Sequence, residues 1–313
     1  MSVYLVTGGA GFIGSNLCRA IVAHGDVCRV LDNFATGRRE NLADISDRIE
    51  LVEGSLTDLP TVRRAVGGVD FVLHQAALPS VPRSVKDPIA SNDANVTGTV
   101  NVLVASRDAG VKRVVAASSS SVYGDSPRLP KEESMPTLPL SPYAVSKLAA
   151  ERYCLAFHTV YGQEAVALRY FNVFGPRQDP KSTYAAVVPL FITRCVTGER
   201  IVIDGDGEQS RDFTYVDNVV EANLLSCTAE GAPGRVFNVA CGERTTINEL
   251  LRIAADATGG EPNFEHGPAR TGDVKHSLAD VTAAREVLGY TGAVGVSEGM
   301  KRTAEWYKQH PSG

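Results

Sequence analysis

Three groups of residues have the types and the spacing to do chemistry. Residues 7–14 read Thr-Gly-Gly-Ala-Gly-Phe-Ile-Gly, so Gly8, Gly11 and Gly14 lie between an apolar run at residues 3–7 and a helical pattern at 15–24. Glycines there let the backbone approach a pyrophosphate, and the helix behind them supplies N–H groups and the positive end of its dipole. Asp32 closes a second apolar run, residues 27–31. An acid at that point bonds a ribose diol and repels a 2′-phosphate, which favours NAD over NADP. Arg38 and Arg39 leave room for the opposite reading, because an Arg can hold that phosphate; they also read as the solvated start of the segment 38–42. The second group is Tyr143 and Lys147, one helical turn apart behind Ser141 and Pro142, which suit an N-cap and a first turn. An ammonium there would stabilise the phenolate and bring the Tyr pKa down towards neutrality, giving a general base matched to an alcohol. The third is Ser118-Ser119-Ser120-Ser121, after the run 114–117. In an extended chain Ser119 and Ser121 point to one side and Ser120 to the other. A hydroxyl there could hold a substrate alcohol beside the Tyr oxygen, and four serines also read as a plain polar strand end.

The elements that must position these groups alternate. Strand-like runs occur at 3–7, 27–31, 49–52, 71–74, 114–117 and 165–168, with helix-like stretches at 59–66, 89–109 and 142–161. Apolar, non-alternating strands between helices predict an α/β, Rossmann-type doubly wound parallel sheet covered on both faces. From Tyr170 onward loops lengthen, Pro and Gly cluster, and the βα rhythm fails. The predicted division is therefore a first domain at 1–171 and a smaller mixed α/β region at 172–313, with some segments returning to the first. No repeat, low-complexity tract or flexible linker separates them, so tight packing is expected.

Composition narrows the class. The chain has 313 residues, 43% hydrophobic and 21% charged, which excludes a disordered or collagen-like chain. Lys plus Arg is 31 against 36 Asp plus Glu, a net charge of -5, with no basic block for nucleic acid or a membrane surface. No apolar run reaches a membrane span and the N-terminus lacks a signal-peptide pattern, so a cytoplasmic location is expected. The six cysteines form no C-x-x-C and have no zinc spacing. Cys18, Cys154, Cys195 and Cys227 fall in helix-like stretches and read as small buried hydrophobes.

Taken together, these motifs resemble the extended short-chain dehydrogenase/reductase family, over essentially the whole chain. Further matches are His74-Gln75-Ala76-Ala77, Asn95, residues 169–176 (Arg-Tyr-Phe-Asn-Val-Phe-Gly-Pro), Gly205-Asp206-Gly207 and Arg211-Asp212-Phe213, which are typical of nucleotide-sugar 4-epimerases. The resemblance implies a catalytic set of Ser119, Tyr143 and Lys147. It implies an NAD site lined by Gly8, Gly11, Phe12, Ile13, Asp32, Asn33, Ser55, Leu56, Gln75, Ala76, Ala77, Asn95, Tyr143, Lys147 and Tyr170. Ser55 stands where relatives usually carry Asp; its hydroxyl accepts the same bond more weakly. It implies a UDP-sugar site at Ser80, Ser119, Ser120, Ser121, Tyr143, Asn172, Ala186, Val187, Ile203, Arg211, Arg270, Asp273 and Ser277. Arg211 and Arg270 would hold the diphosphate through charge-assisted bonds, and Asp273 a ribose hydroxyl. No metal is implied.

The implied reaction is 4-epimerisation of a UDP-hexose through a 4-keto intermediate. Ser277 falls where epimerases restricted to UDP-glucose and UDP-galactose resemble one another in a bulky Tyr, and the chain looks most like the bacterial UDP-N-acetylglucosamine 4-epimerases. A small residue there leaves room for a 2-N-acetyl group, so UDP-GlcNAc/UDP-GalNAc is expected, with UDP-Glc/UDP-Gal beside it. UDP-glucose alone and UDP-uronic acids are the alternatives, the latter opposed by the charge of Asp179 if it lies close. A 4,6-dehydratase would need an acid pair that Ser119-Ser120-Ser121 does not provide. An NAD sensor without catalysis could dispense with Tyr143 or Lys147, and both are present. Relatives of this kind form homodimers through a four-helix contact, which here would use the helices at 89–109 and 142–161.

Overall fold

The computed structural model describes residues 1–180, 186–268 and 275–310. In chain order its first half contains β1 (Val3–Thr7), α1 (Phe12–Ala23), β2 (Val27–Asp32), β3 (Ile49–Glu53), α2 (Leu59–Val66), β4 (Phe71–His74), α3 (Val81–Lys86), α4 (Pro88–Asn92), α5 (Gly98–Asp108), β5 (Arg113–Ser119), α6 (Pro142–Tyr161) and β6 (Ala165–Tyr170). Beyond them come β7 (Val173–Phe174), α7 (Val187–Thr197), β8 (Ile201–Asp204), β9 (Ser210–Arg211), β10 (Thr214–Tyr215), α8 (Val216–Thr228), β11 (Val236–Val239), β12 (Thr245–Thr246), α9 (Ile247–Thr258), β13 (Phe264–Gly267) and α10 (Val296–Gln309).

Seven strands form one parallel sheet in the order β11-β6-β5-β4-β1-β2-β3. Neighbouring residues on a strand go to opposite faces, and both faces are buried. Val6, Val30 and Val115 enter the core beneath α1 and α8, whereas Leu5, Leu31 and Val114 enter the one beneath α2, α5 and α6. That double burial is why these strands carry no polar alternation. A third core, built from α7, α9, α10 and the short strands β8 and β10, fills the remaining region.

The strand order reverses at β1, where the chain passes from β3 to β4 across the sheet. In such sheets ligands lie outside the C-terminal strand ends at that switch point. β2 ends at Asp32 as expected, whereas the structure lengthens two other strands: β5 runs from Arg113 to Ser119, and β6 reaches Tyr170. Helix α1 starts at Phe12, earlier than the pattern from residue 15. The expected helix at 89–109 is interrupted by a π turn, Asp93–Thr97, between α4 and α5. The seventh strand, β11, comes from the late region and was not visible as a strand in the sequence; at four residues it is too short for a period to show.

Candidate active site

The glycine turn is dictated by contact. A Cβ on Gly14 would lie 2.1 Å from the Gly8 carbonyl oxygen, and one on Gly8, whose φ is +69°, would lie 2.7 Å from the Ala76 Cα. Gly11 is the N-cap of α1 and provides no side-chain cap, so the first-turn N–H groups of Phe12 and Ile13 face the cleft edge rather than a protein cap. Beside the turn, Asp32 is buried; its Oδ2 accepts from Ala10 N at 2.9 Å and its Oδ1 from Phe34 N at 2.8 Å. The bond to Ala10 ties the carboxylate to the glycine turn. This combination of a cradle that side chains would fill, an uncapped helix end and a fixed acid fits NAD.

The other expected cofactor positions collect around these. Ser55 and Leu56 follow the end of β3, next to β2, and the Ser55 hydroxyl is paired with Thr57 Oγ1 at 2.8 Å. Asn33 closes a local turn by accepting from Ala35 N. Gln75, Ala76 and Ala77 leave the end of β4, where Ala76 N donates to Thr7 Oγ1. Gln75 and Tyr170 are joined with Asn223 of α8 in a closed triangle. Asn223 Nδ2 donates to Tyr170 Oη at 2.8 Å, Tyr170 Oη to Gln75 Oε1 at 3.0 Å, and Gln75 Nε2 to Asn223 Oδ1 at 2.9 Å. Asn95 sits in the π turn with its amide spent on protein: Oδ1 accepts from Leu78 N and Nδ2 donates to Ser146 Oγ at 2.9 Å. Arg38 pairs with Asp179 at 3.7 Å and Arg39 with Glu53, so the two arginines are committed to carboxylates.

Helix α6 delivers Tyr143 and Lys147 from one face, with Ser141 as N-cap accepting from Ala144 N and Pro142 in the first turn. Tyr143 N donates to Ser84 Oγ at 3.0 Å, anchoring the helix start to α3. Lys147 is buried and its Nζ donates to Ala117 O at 2.8 Å, one step from the end of β5. The four serines do not continue an extended strand. β5 stops at Ser119 and Ser120–Tyr123 turns as a 3-10 helix. The turn still puts Ser119 and Ser121 together, because Ser119 Oγ accepts from Ser121 N and from Ser121 Oγ at 2.9 Å. Of the two, the Ser119 hydroxyl is the one that helps hold the Tyr143 phenol pKa down.

The electrostatics correct one expectation. Burial holds the Tyr143 phenol above its ordinary range, and the Ser119 hydroxyl acts against it. Burial likewise pulls the Lys147 ammonium down to about 8. The phenol therefore does not come towards neutrality, because its burial outweighs the help of Ser119.

Residues behind the site carry buried polar order that sequence reading left unassigned. Glu151, one turn beyond Lys147 on α6, accepts from Arg169 Nη2 at 2.7 Å, from Arg169 Nε at 2.9 Å and from Ser118 Oγ at 2.8 Å, all with the ions sealed from water. His74 spans β1 and α5: Nδ1 lies 2.7 Å from Thr7 Oγ1 and Nε2 2.9 Å from Thr99 Oγ1. Thr99 Oγ1 donates to Asn95 O, so His74 donates through Nε2 and accepts at Nδ1. The available signal was a polar residue on an otherwise apolar helix face: Glu151 on the stripe of Lys147, Ala150 and Cys154, and Asn223 among the apolar residues of α8.

The expected substrate positions fall on several separate elements. Ser80 caps α3 with φ 111° and Asn172 has φ 33°, both strained for non-glycine residues. Ala186 and Val187 open α7. Ser277 N donates to Ser210 O at 3.0 Å, which sets it beside Arg211. Ser120 stays next to Ser119 in the 3-10 turn. Ile203 is 2% exposed inside the third core, so it can line a site only through its backbone. Arg270 and Asp273 lie outside the described residues.

A cleft of this make, at the switch point of a doubly wound sheet, is that of a dinucleotide-dependent enzyme. The chain belongs to the NAD dependent epimerase/dehydratase family, whose model matches residues 4–240. It is 41% identical over 308 residues to the UDP-glucose 4-epimerase of Mycolicibacterium smegmatis, covering 97% of this chain and 98% of that one. It superposes with a TM-score of 0.94 at 39% identity on the UDP-N-acetylglucosamine 4-epimerase of Methanobrevibacter ruminantium, solved with UDP-N-acetylmuramic acid, covering 99% of each chain. The Thermus thermophilus UDP-glucose 4-epimerase, solved with NAD, matches with a TM-score of 0.88 at 37% identity over 98% of this chain and 99% of that one. Among the described residues no helix is long and apolar enough to cross a membrane.

Proposed function

We propose that the protein is an NAD-dependent UDP-sugar 4-epimerase, acting on UDP-GlcNAc and UDP-GalNAc and also on UDP-Glc and UDP-Gal. What supports the reaction class is that α6 carries Tyr143 one turn before Lys147 and brings Lys147 Nζ to Ala117 O of β5, the strand that ends at Ser119. Bound NAD would supply reversible hydride exchange at carbon 4. Tyr143 Oη would move the proton of the sugar 4-hydroxyl, Ser119 Oγ would hold that oxygen, and Lys147 would orient the set from Ala117. Arg211, with Arg270, would hold the diphosphate.

The breadth of substrate rests on Ser277, a small, partly exposed side chain held next to Arg211 by its bond to Ser210. The test is 4-epimerisation of UDP-GlcNAc beside UDP-Glc, with Ser277→Tyr as the control. The variant should lose UDP-GlcNAc turnover and retain UDP-Glc turnover; UDP-GlcNAc turnover that survives it overturns the assignment. The repulsion of a uronate by Asp179 is weakened by the pairing of Asp179 with Arg38, so the uronic-acid alternative is decided by the same assay run on UDP-GlcA. The protein is further proposed to act as a homodimer through α4, α5 and α6.

A further inference from the structure

The motif Arg211-Asp212-Phe213 contains a residue to which the reaction assigns nothing. Asp212 is 0% exposed, and among the described residues its bonds are to backbone rather than to a cation. Its Oδ1 accepts from Cys241 N at 3.0 Å, and its Oδ2 accepts from Gly242 N at 3.1 Å and Ala279 N at 3.2 Å. Burial pushes its pKa up to about 6 and the backbone donors hold it down. A carboxylate kept out of water without a cation is costly unless its lone pairs are filled, and here backbone N–H groups fill them.

The donors come from two separate segments. Residues 241–243 follow the end of β11, the seventh strand of the sheet, and lead into β12, which pairs with β9. Ala279 ends the stretch 275–279, which lies along Ser210: Ser210 N donates to Lys275 O at 3.0 Å, and Arg211 Nη1 donates to Lys275 O at 3.1 Å. The Asp212 carbonyl also accepts from Asn172 Nδ2 at 3.2 Å. One residue thus joins Arg211, Ser277 and Asn172 to the rigid edge of the sheet that carries the dinucleotide cleft.

We propose that Asp212 is the positioning residue of the sugar-nucleotide half of the site, its buried carboxylate setting where Arg211 and Ser277 stand relative to the NAD half. This rests on the UDP-sugar reading above. It separates two functions that a structural residue would lose together, since the glycine turn, Asp32 and Tyr170 make no bond to Asp212. Asn is nearly isosteric with Asp but turns one oxygen into an NH2 donor, which would face an N–H donor.

The experiment measures UDP binding, NAD content and steady-state kinetics for the wild-type chain and Asp212→Asn. The variant should bind UDP about tenfold more weakly and show a KM for the UDP-sugar raised by at least about that factor, with NAD content unchanged and kcat lowered less than KM is raised. Unchanged UDP affinity overturns the inference. Parallel loss of NAD and UDP, with a lowered Tm, overturns it too, by making Asp212 a general fold residue. If the wild-type chain itself does not bind UDP, the UDP-sugar reading fails, and this inference with it. Hydrogen exchange on the wild-type protein gives a readout that needs no variant. UDP should slow the amides of 241–243 and 277–279 together, and slowing of one segment alone overturns the coupling.

Discussion

Tyr143 and Lys147 share one face of α6, and burial favours the neutral form of each. The phenol is raised and the ammonium lowered, and the Ser119 hydroxyl acts against the rise of the phenol. Replacing Tyr143 by Phe removes only the oxygen and leaves the helix start, which is held by Tyr143 N and Ser84. Turnover of the UDP-sugar should fall at least about 100-fold, as for loss of a positioned acid–base group, with UDP binding retained. Turnover close to wild type in that variant would refute the assignment of Tyr143.

At the scale of elements, what holds the site is a set of buried polar ties between helices and strand ends. Glu151 with Arg169 and Ser118 fixes α6 to β5 and β6, and His74 fixes β1 and β4 to α5. The His74 tie titrates. Burial, reinforced by Lys147, depresses its pKa from 6.5 to about 3, so the folded protein keeps it neutral where an unfolded chain would bind a proton. Its contribution is complete above about pH 6.5 and is lost as the pH falls towards about 3. Urea midpoints measured between pH 7 and pH 4 should decline more steeply for the wild-type protein than for His74→Gln. Equal slopes would mean that His74 is not what makes the fold acid-sensitive.

For the whole molecule, the surface of α3, α4 and α6 stands out. Ile89 is 74% exposed, Leu140 71% and Val145 52%, and all three line one groove between α4 and the start of α6. Val85 and Val160 add exposed apolar area on α3 and α6. A patch of this kind is expected at an interface between subunits. If the proposed homodimer uses this patch, the wild-type chain should run as a dimer in light scattering and the double variant Ile89→Lys with Val145→Glu as a monomer; a dimer that survives both charges places the contact elsewhere.

Much of the fold was legible because it is local. A parallel sheet buried on both faces requires continuous apolar runs, and β1, β4, α2 and α6 fall where those runs and their caps put them. The extra length of β5 and β6 was hidden because polar residues at strand ends, Ser118-Ser119 and Arg169 among them, break the apolar pattern. The π turn around Asn95 was hidden for a similar reason, since an inserted residue leaves helical composition unchanged.

The sequence by itself determined the NAD turn, the acid of β2, the helix that carries Tyr143 and Lys147, and the family resemblance. Each depends on residue types within a few positions of one another, where backbone geometry is short-ranged. Tertiary structure decided where Lys147 Nζ meets β5, which way burial moves the two pKa values, that β11 completes the sheet, and that Asp212 gathers Cys241, Gly242 and Ala279. Those depend on desolvation and on contacts between residues far apart in the chain, and neither is written in the spacing along it.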